Sequence, residues 1–227
     1  MAARIRRSAS TTVRRQRQLA RYDDSTVFAI IDAAPCCHVA VLRDGLPMAL
    51  PTIATRVDAT VYLHGAPASA LLRDAGGAER VSATFTCIDG VVVARSGFHS
   101  TLAYRSAVVV GATRLVTGEE LVASLDALVD HILPGRSAEV RRPTRRELAA
   151  TSVVALEIEE ASAKVSLGPP QDPASDLEGE AWAGIVPATL RYGTPQPATD
   201  GRVGRGLVAV PASVGRLRRR RSSPWPA

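Results

Sequence analysis

Lysine is nearly absent: Lys164 is the only one in 227 residues, and arginine carries the rest of the positive charge. That bias fits a GC-rich genome and excludes no function. Aromatic residues are also scarce, at 4% of the chain. No basic stretch is therefore interleaved with the stacking side chains that nucleic-acid recognition uses. The three cysteines, Cys36, Cys37 and Cys87, form neither a Cys-x-x-Cys motif nor a Cys/His zinc spacing, and adjacent cysteines hardly bridge each other. They are expected as buried free thiols of a reducing compartment, with no metal site. No apolar run approaches the ~20 residues of a membrane span. No apolar segment follows the basic start as it would in a secretory signal. These absences lead us to expect a cytoplasmic, bacterial protein with no membrane partner.

What is present divides by charge. The formal net charge is +6, yet residues 1–21 hold seven arginines and no acid, and residues 191–227 hold eight arginines against Asp200. The two ends therefore carry +7 each, which leaves −8 on residues 22–190. The expected organisation is a flexible basic arm over 1–21, one folded domain over 22–190, and a disordered Arg/Pro/Gly-rich tail over 191–227. Basic ends attract anionic surfaces. They hold no reading motif, however, so nucleic acid or acidic-surface binding ranks last among the expected functions.

Within the domain, short apolar segments alternate with turn signals. A helix opens near Asp24 or Ser25 and stops before Pro35. His38–Arg43 and about Pro47–Arg56 read as strands joined at Asp44-Gly45, and Thr60–His64 follows a turn at Val57-Asp58-Ala59. Ala66–Ala75 reads as a short helix ended by Gly76-Gly77. Arg80–Ile88 alternates with period two, and Asp89-Gly90 reads as a hairpin turn into Val91–Ser96. Tyr104–Val116 contains a Val108-Val109-Val110 run that suggests burial on both faces. Glu119–Leu133 carries a helical apolar stripe, Thr144-Arg-Arg-Glu147 is a capping box, and Val153–Glu159 is the last long strand. Trp182–Pro187 is an apolar island. Six or seven short strands with peripheral helices predict an antiparallel barrel, mainly β in the α+β class, rather than a doubly wound nucleotide fold.

The stretch Leu50–Ser69 is the chemical centre of this pattern. It gathers Thr52, Thr55, Arg56, His64 and Ser69 on strands that feed a helix N-terminus. Free N–H groups and the helix dipole converge there, which suits a phosphate. The histidines outside it suggest little: His99 reads as a loop residue, and His131 ends a helix where a cation is favoured. Asp32, His38 and Ser100 make no triad, because no nucleophile-elbow glycines surround Ser100. No residue stands out as a general acid or base, so the catalytic residues are unassigned.

The ordered set of motifs over roughly 20–187 resembles the FMN-binding split-barrel proteins, specifically the pyridoxamine 5′-phosphate oxidase-like flavin-nucleotide-binding group. The residues that carry the resemblance are Pro51-Thr52, Tyr62-Leu-His-Gly65 with Ser69, and Asp89–Ser96. His99-Ser100 with Tyr104-Arg-Ser106, Arg142-Pro-Thr144 with Glu147, Ala161–Lys164 and Trp182-Ala-Gly184 complete the set. The resemblance implies a homodimer of split β-barrels with FMN in the groove between subunits, FAD, a deazaflavin or haem being the alternatives. It implies cofactor contacts from Pro51, Thr52, Ile53, Tyr62, Leu63, His64, Gly65, Ser69, Arg105, Ser106 and Trp182. The family commonly has a basic residue directly after the serine, where this chain has Ala70, and Arg73 is the expected substitute. The implied function is a flavin-dependent oxidoreductase of unknown small-molecule substrate, the alternative a cofactor-binding module without turnover.

Overall fold

The computed structural model describes residues 5–199 and 208–219. Helix α1 (Asp24–Ala33) opens one residue before the expected cap, because the Asp23 carboxylate accepts from the Thr26 N–H at 2.8 Å. Strand β2 (Cys37–Arg43) turns at Asp44-Gly45, both at positive φ (52° and 78°), into β3 (Leu46–Thr52). At Ile53 the chain leaves that pairing. The expected single strand Pro47–Arg56 is therefore two, and β4 (Ala54–Val57) pairs with β5 (Thr60–Gly65) instead. Helix α2 (Ala70–Gly77), the long strands β6 (Arg80–Val93) and β7 (Thr101–Leu115), and helix α3 (Gly118–Ile132) follow. Helix α4 (Arg145–Ala149) carries the expected capping box, with Thr144 and Glu147 bonding reciprocally.

The barrel is mainly β, antiparallel and split, with strand order β3-β2-β6-β7-β8-β5-β4. The expected strand Val153–Glu159 is interrupted at Ile158-Glu159, giving β8 (Ser152–Glu157) and β9 (Glu160–Ser166). Strand β7 joins the two halves: Tyr104–Val110 pairs with β9, and Thr113–Leu115 pairs with β8. Between those two ladders lies Gly111, whose backbone touches the carbonyl of Glu157 so closely that a Cβ there would meet it at 1.6 Å. Cys37, Val39 and Val41 of β2 and Val81, Ala83 and Phe85 of β6 point inward, meeting Val27, Ile30 and Ile31 of α1. Each such Val, Ile or Phe contributes roughly 1.5–3 kcal/mol on burial. Of the Val108-Val109-Val110 run, only Val109 is buried; its neighbours are half-buried on the outer face.

The Asp89-Gly90 pair is not a hairpin turn. Strand β6 runs through it as a bulge between the Ile88–Tyr104 and Gly90–Ala103 pairs, and the real hairpin loop lies at 94–100. Two contacts explain this. Asp89 is fully buried and accepts from both Arg105 Nε and Nη2 at 2.8 Å. Gly90 lets β10 (Gly184–Pro187) approach, since a Cβ would lie 2.6 Å from the Val186 carbonyl. The thiols also differ from expectation: Cys37 and Cys87 are buried but Cys36 is exposed. Burial raises the Cys37 thiol to about 12.

The residues expected to form a flexible arm lie along the barrel where they are described. Ile5 joins the core, Arg6 bridges to Glu160, and β1 (Ala20–Arg21) pairs with β9. In the tail expected to be disordered, helix α5 (Ala212–Arg219) is anchored by Ser213, whose N–H and hydroxyl both donate to Glu139. Residues 1–4, 200–207 and 220–227 of these two segments lie outside the described residues.

Candidate functional site

The Leu50–Ser69 stretch brings both its ends to one corner of the barrel. In the β4–β5 ladder Ala54 lies opposite Leu63. Ile53 immediately precedes that pair and His64 immediately follows it, so the break before β4 adjoins the end of β5. The chain then turns through Ala66–Ser69, closed by Ser69 N–H donating to the Ala66 carbonyl at 2.8 Å. Ser69 is the N-cap of α2, but its hydroxyl makes no cap bond, so the first helical N–H groups have no side-chain acceptor there. Arg73 donates to the Ala68 carbonyl at 2.9 Å, which lays its guanidinium over the same loop. The far end of α2 is tied to β7 by the Thr113 hydroxyl, which donates to the Ala75 and Ala78 carbonyls. Gly65, Ser69 and Arg73 thus place N–H, hydroxyl and guanidinium donors on one loop, the kinds of donor a phosphate requires.

Alternation along β5 sends its side chains to opposite sides. Val61 and Leu63 enter the barrel core, whereas Tyr62 packs outside it with Val116, Val153, Ala155, Leu121 and Leu125. The Tyr62 hydroxyl donates to Glu120 at 2.8 Å, and Arg114 grips the same carboxylate at 2.6 and 2.7 Å. Burial and the adjoining Glu120 raise the Tyr62 phenol to about 12. Arg114 first, then Tyr62, lowers Glu120 to about 2.

His64 shares the outer face with Tyr62 and lines a cavity of about 550 Å³ between α3 and the segment 140–151. The apolar wall is Leu125, Leu128, Val129, Val140, Pro143 and Leu148; Arg141, Glu147 and Thr151 are its polar members. The volume lies in the range of small-molecule and cofactor sites. The Nδ1 atom of His64 is buried without a hydrogen-bond partner, a costly state for a ring nitrogen. Burial lowers its pKa below 6.5, so the imidazole is neutral at pH 7, the form that ligates a metal.

These groups titrate with a definite sign. Unfolded His64 binds its proton near pH 6.5 while the folded ring resists it, so stability falls as pH drops below 6.5. His64→Leu is expected to flatten that part of the Tm–pH curve; an unaltered slope would contradict the burial. Glu120 behaves similarly at lower pH. Its contribution is complete above 4.5 and is lost as pH falls toward 2, and Glu120→Gln is expected to remove it.

The other sequence-proposed residues lie apart from the corner. Pro51 sits opposite His38, exposed on the outer face of β3. Leu63 is fully buried and Tyr62 is engaged by Glu120, so neither offers a side chain to a groove. Arg105 and Ser106 are on β7, separated from β3 by β2 and β6 in the sheet. The Arg105 guanidinium is committed to Asp89. Trp182 is 64% exposed and rests on Gly184. Sequence reasoning missed the α3 cavity wall, Arg141 and the Asp89 anchor. The apolar stripe of α3 and the Arg142-Pro-Thr144 motif were the available signals, but neither discloses that they face His64.

Comparison with known proteins places this geometry. Residues 23–165 match the family described as pyridoxamine 5′-phosphate oxidase. The chain is similar to a flavocytochrome from Azotobacter vinelandii, with 36% identity over 93% of this chain and 97% of that one and a TM-score of 0.81. It is also similar to the FAD and haem binding protein from Mycobacterium smegmatis, with 38% identity over 88% and 97% of the two chains and a TM-score of 0.83. A putative 5-nitroimidazole antibiotic resistance protein from Bacteroides thetaiotaomicron, at 19% identity over 64% of this chain and 86% of that one with a TM-score of 0.56, shares the fold. A search of curated proteins finds no match. The chain belongs to the pyridoxamine 5′-phosphate oxidase family.

Proposed function

We propose that this protein binds a flavin at the Thr52–Ser69 corner and a haem in the α3 cavity, and that it is an oxidoreductase. The observation that carries the reading is His64: a neutral imidazole, with a buried unpartnered nitrogen, in the wall of an apolar cavity of about 550 Å³. A neutral histidine in such a wall would suit haem iron, which a single protein histidine commonly holds. The names of the two relatives above 30% identity, a flavocytochrome and an FAD and haem binding protein, support the pairing. The second of these names also favours FAD over FMN. Ala70 points the same way, since it removes one cation from a single-phosphate seat, while Ser69 and Arg73 remain at the loop.

When bound, flavin supplies hydride and electron transfer, and haem supplies one-electron or O₂ chemistry. The chain's own part is to position and exclude water. Thr52 and Ser69 offer hydroxyls, Arg73 offers charge, Ile53 offers an apolar contact, and α3 with Val140 and Pro143 shields the His64 ring. The outer face of the sheet presents small residues in register, Ala40 and Ala49 beside Ser82 and Val110. Such a flat face suits a second copy of the chain, which would bring Ser106 and Trp182 toward the flavin groove.

The test is to load the purified chain with haem and FAD and identify what it retains. We expect a Soret band and a yellow flavin spectrum. His64→Ala should weaken haem binding on the order of 100-fold and leave flavin in place, whereas Ser69→Ala with Arg73→Ala should weaken flavin alone. Haem binding that is absent, or equal in His64→Ala, overturns the haem assignment. Bleaching of the flavin by a reduced nicotinamide separates an oxidoreductase from a carrier; inertness to every reductant would leave only a binding module.

A further inference from the structure

We infer that Arg141 is the carboxylate-recognising residue at the mouth of the α3 cavity, exchanging its pair with Glu147 for an acidic edge of the ligand. The inference rests on the haem reading and adds how the protein selects a tetrapyrrole that carries free carboxylates. Apart from His64, the cavity is apolar except for one charged pair and one hydroxyl: Arg141, Glu147 and Thr151. A flat apolar body with an acidic edge matches that division.

Three features make the exchange inexpensive for the protein. Arg141 donates to Glu147 at 2.8 and 2.6 Å, but the two side chains are 67% and 49% exposed, and an exposed pair of this kind stabilises little. Glu147 does not depend on Arg141 to stay satisfied. It also accepts from the Thr144 N–H at 2.8 Å and the Thr144 hydroxyl at 3.0 Å, so it remains capped when the guanidinium moves. The Thr151 hydroxyl, next in the wall, is already committed to the Glu147 carbonyl.

The neighbouring arginines cannot take the same role. Arg142, which pairs with Asp126 of α3, and Arg145 and Arg146 do not line the cavity, whereas Arg141 does. They do make the rim basic, which favours approach of an anion. A guanidinium fork matches a carboxylate in two parallel hydrogen bonds, a geometry lysine lacks.

The test compares haem with haem dimethyl ester, which has the same ring and iron but no free carboxylates. Affinities are measured by titration, and dissociation by transfer to excess apomyoglobin, in the wild type, Arg141→Ala and Arg141→Lys. We expect the wild type to prefer haem over the ester by about 10-fold, as a charge-assisted hydrogen bond supplies. Arg141→Ala should bind haem as weakly as ester and leave ester binding unaltered, and Arg141→Lys should fall between. An ester preference that persists in Arg141→Ala, or haem affinity equal to the wild type, overturns the inference. If His64→Ala still weakens haem binding in that case, the haem site stands without a role for Arg141. If the wild type binds neither haem nor ester, the haem reading fails, and the inference with it.

Discussion

Asp89→Ala is expected to destabilise the protein by about 3–5 kcal/mol, the cost of leaving one partner of a buried ion pair without the other. Asp89 is fully buried, the Arg105 side chain is only 18% exposed, and the two are joined by a pair of 2.8 Å hydrogen bonds. Deleting the carboxylate leaves a mostly buried guanidinium without the partner that accepts both of its hydrogen bonds. A loss of this size is a large part of the 5–15 kcal/mol that holds a typical domain folded. The backbone of residue 89 keeps its own task, accepting from the Ala188 N–H at 2.9 Å, so β10 should stay in place. Asp89→Ala combined with Arg105→Met is the control. Removing both charges together should restore most of the lost stability, because a buried pair replaced by apolar groups is often close to neutral. Urea midpoints of the wild type, Asp89→Ala, Arg105→Met and the double variant measure the coupling. Equal midpoints for Asp89→Ala and the wild type would sink the idea that this pair, rather than turn chemistry, fixes the bulge.

That pair also shows where sequence stops being informative. Asp-Gly is a strong local hairpin signal, and at Asp44-Gly45 it means what it says, with both residues at positive φ. At Asp89-Gly90 the same dipeptide lies in mid-strand, because Arg105, sixteen residues away, and β10, almost a hundred away, decide the local geometry. The period-two pattern of β6 and the Thr144–Glu147 capping box were legible, since each depends only on near neighbours. The breaks at Ile53 and Ile158-Glu159 were not legible, as they follow from strands changing partners across the barrel. The placing of His64, Gly65 and Ser69 at the junction of β5 and α2 could be anticipated from one stretch of sequence. The cavity could not: it needs α3 and the 140–151 segment to close over the outer face of β5, and only tertiary structure brings them there.

Gly111→Ala is expected to be the most damaging glycine-to-alanine change among the described residues. The added Cβ would fall 1.6 Å from the Glu157 carbonyl oxygen, 2.9 Å from its carbon and 3.2 Å from the Glu159 nitrogen. All three are backbone atoms at the crossing between β8 and β9, so no rotamer change relieves the overlap. The crossing itself must move, and with it the hydrogen bond from the Glu159 N–H to the Val110 carbonyl at 3.2 Å. Overpacking of this kind costs about 3 kcal/mol, or roughly 10 °C in Tm for a chain of this length. The effect should reach the candidate site as well. Strand β8 pairs on its other side with β5, placing Val153 opposite His64, so a shifted β8 disturbs the wall that positions the imidazole. Gly97→Ala provides the reference: its Cβ would meet nothing within 4 Å, and at such a site alanine is neutral or slightly stabilising. Thermal melts of the two variants should therefore separate widely, with Gly97→Ala close to the wild type. A Gly111→Ala protein melting within a degree or two of the wild type would show that the barrel halves are not pinned at this crossing.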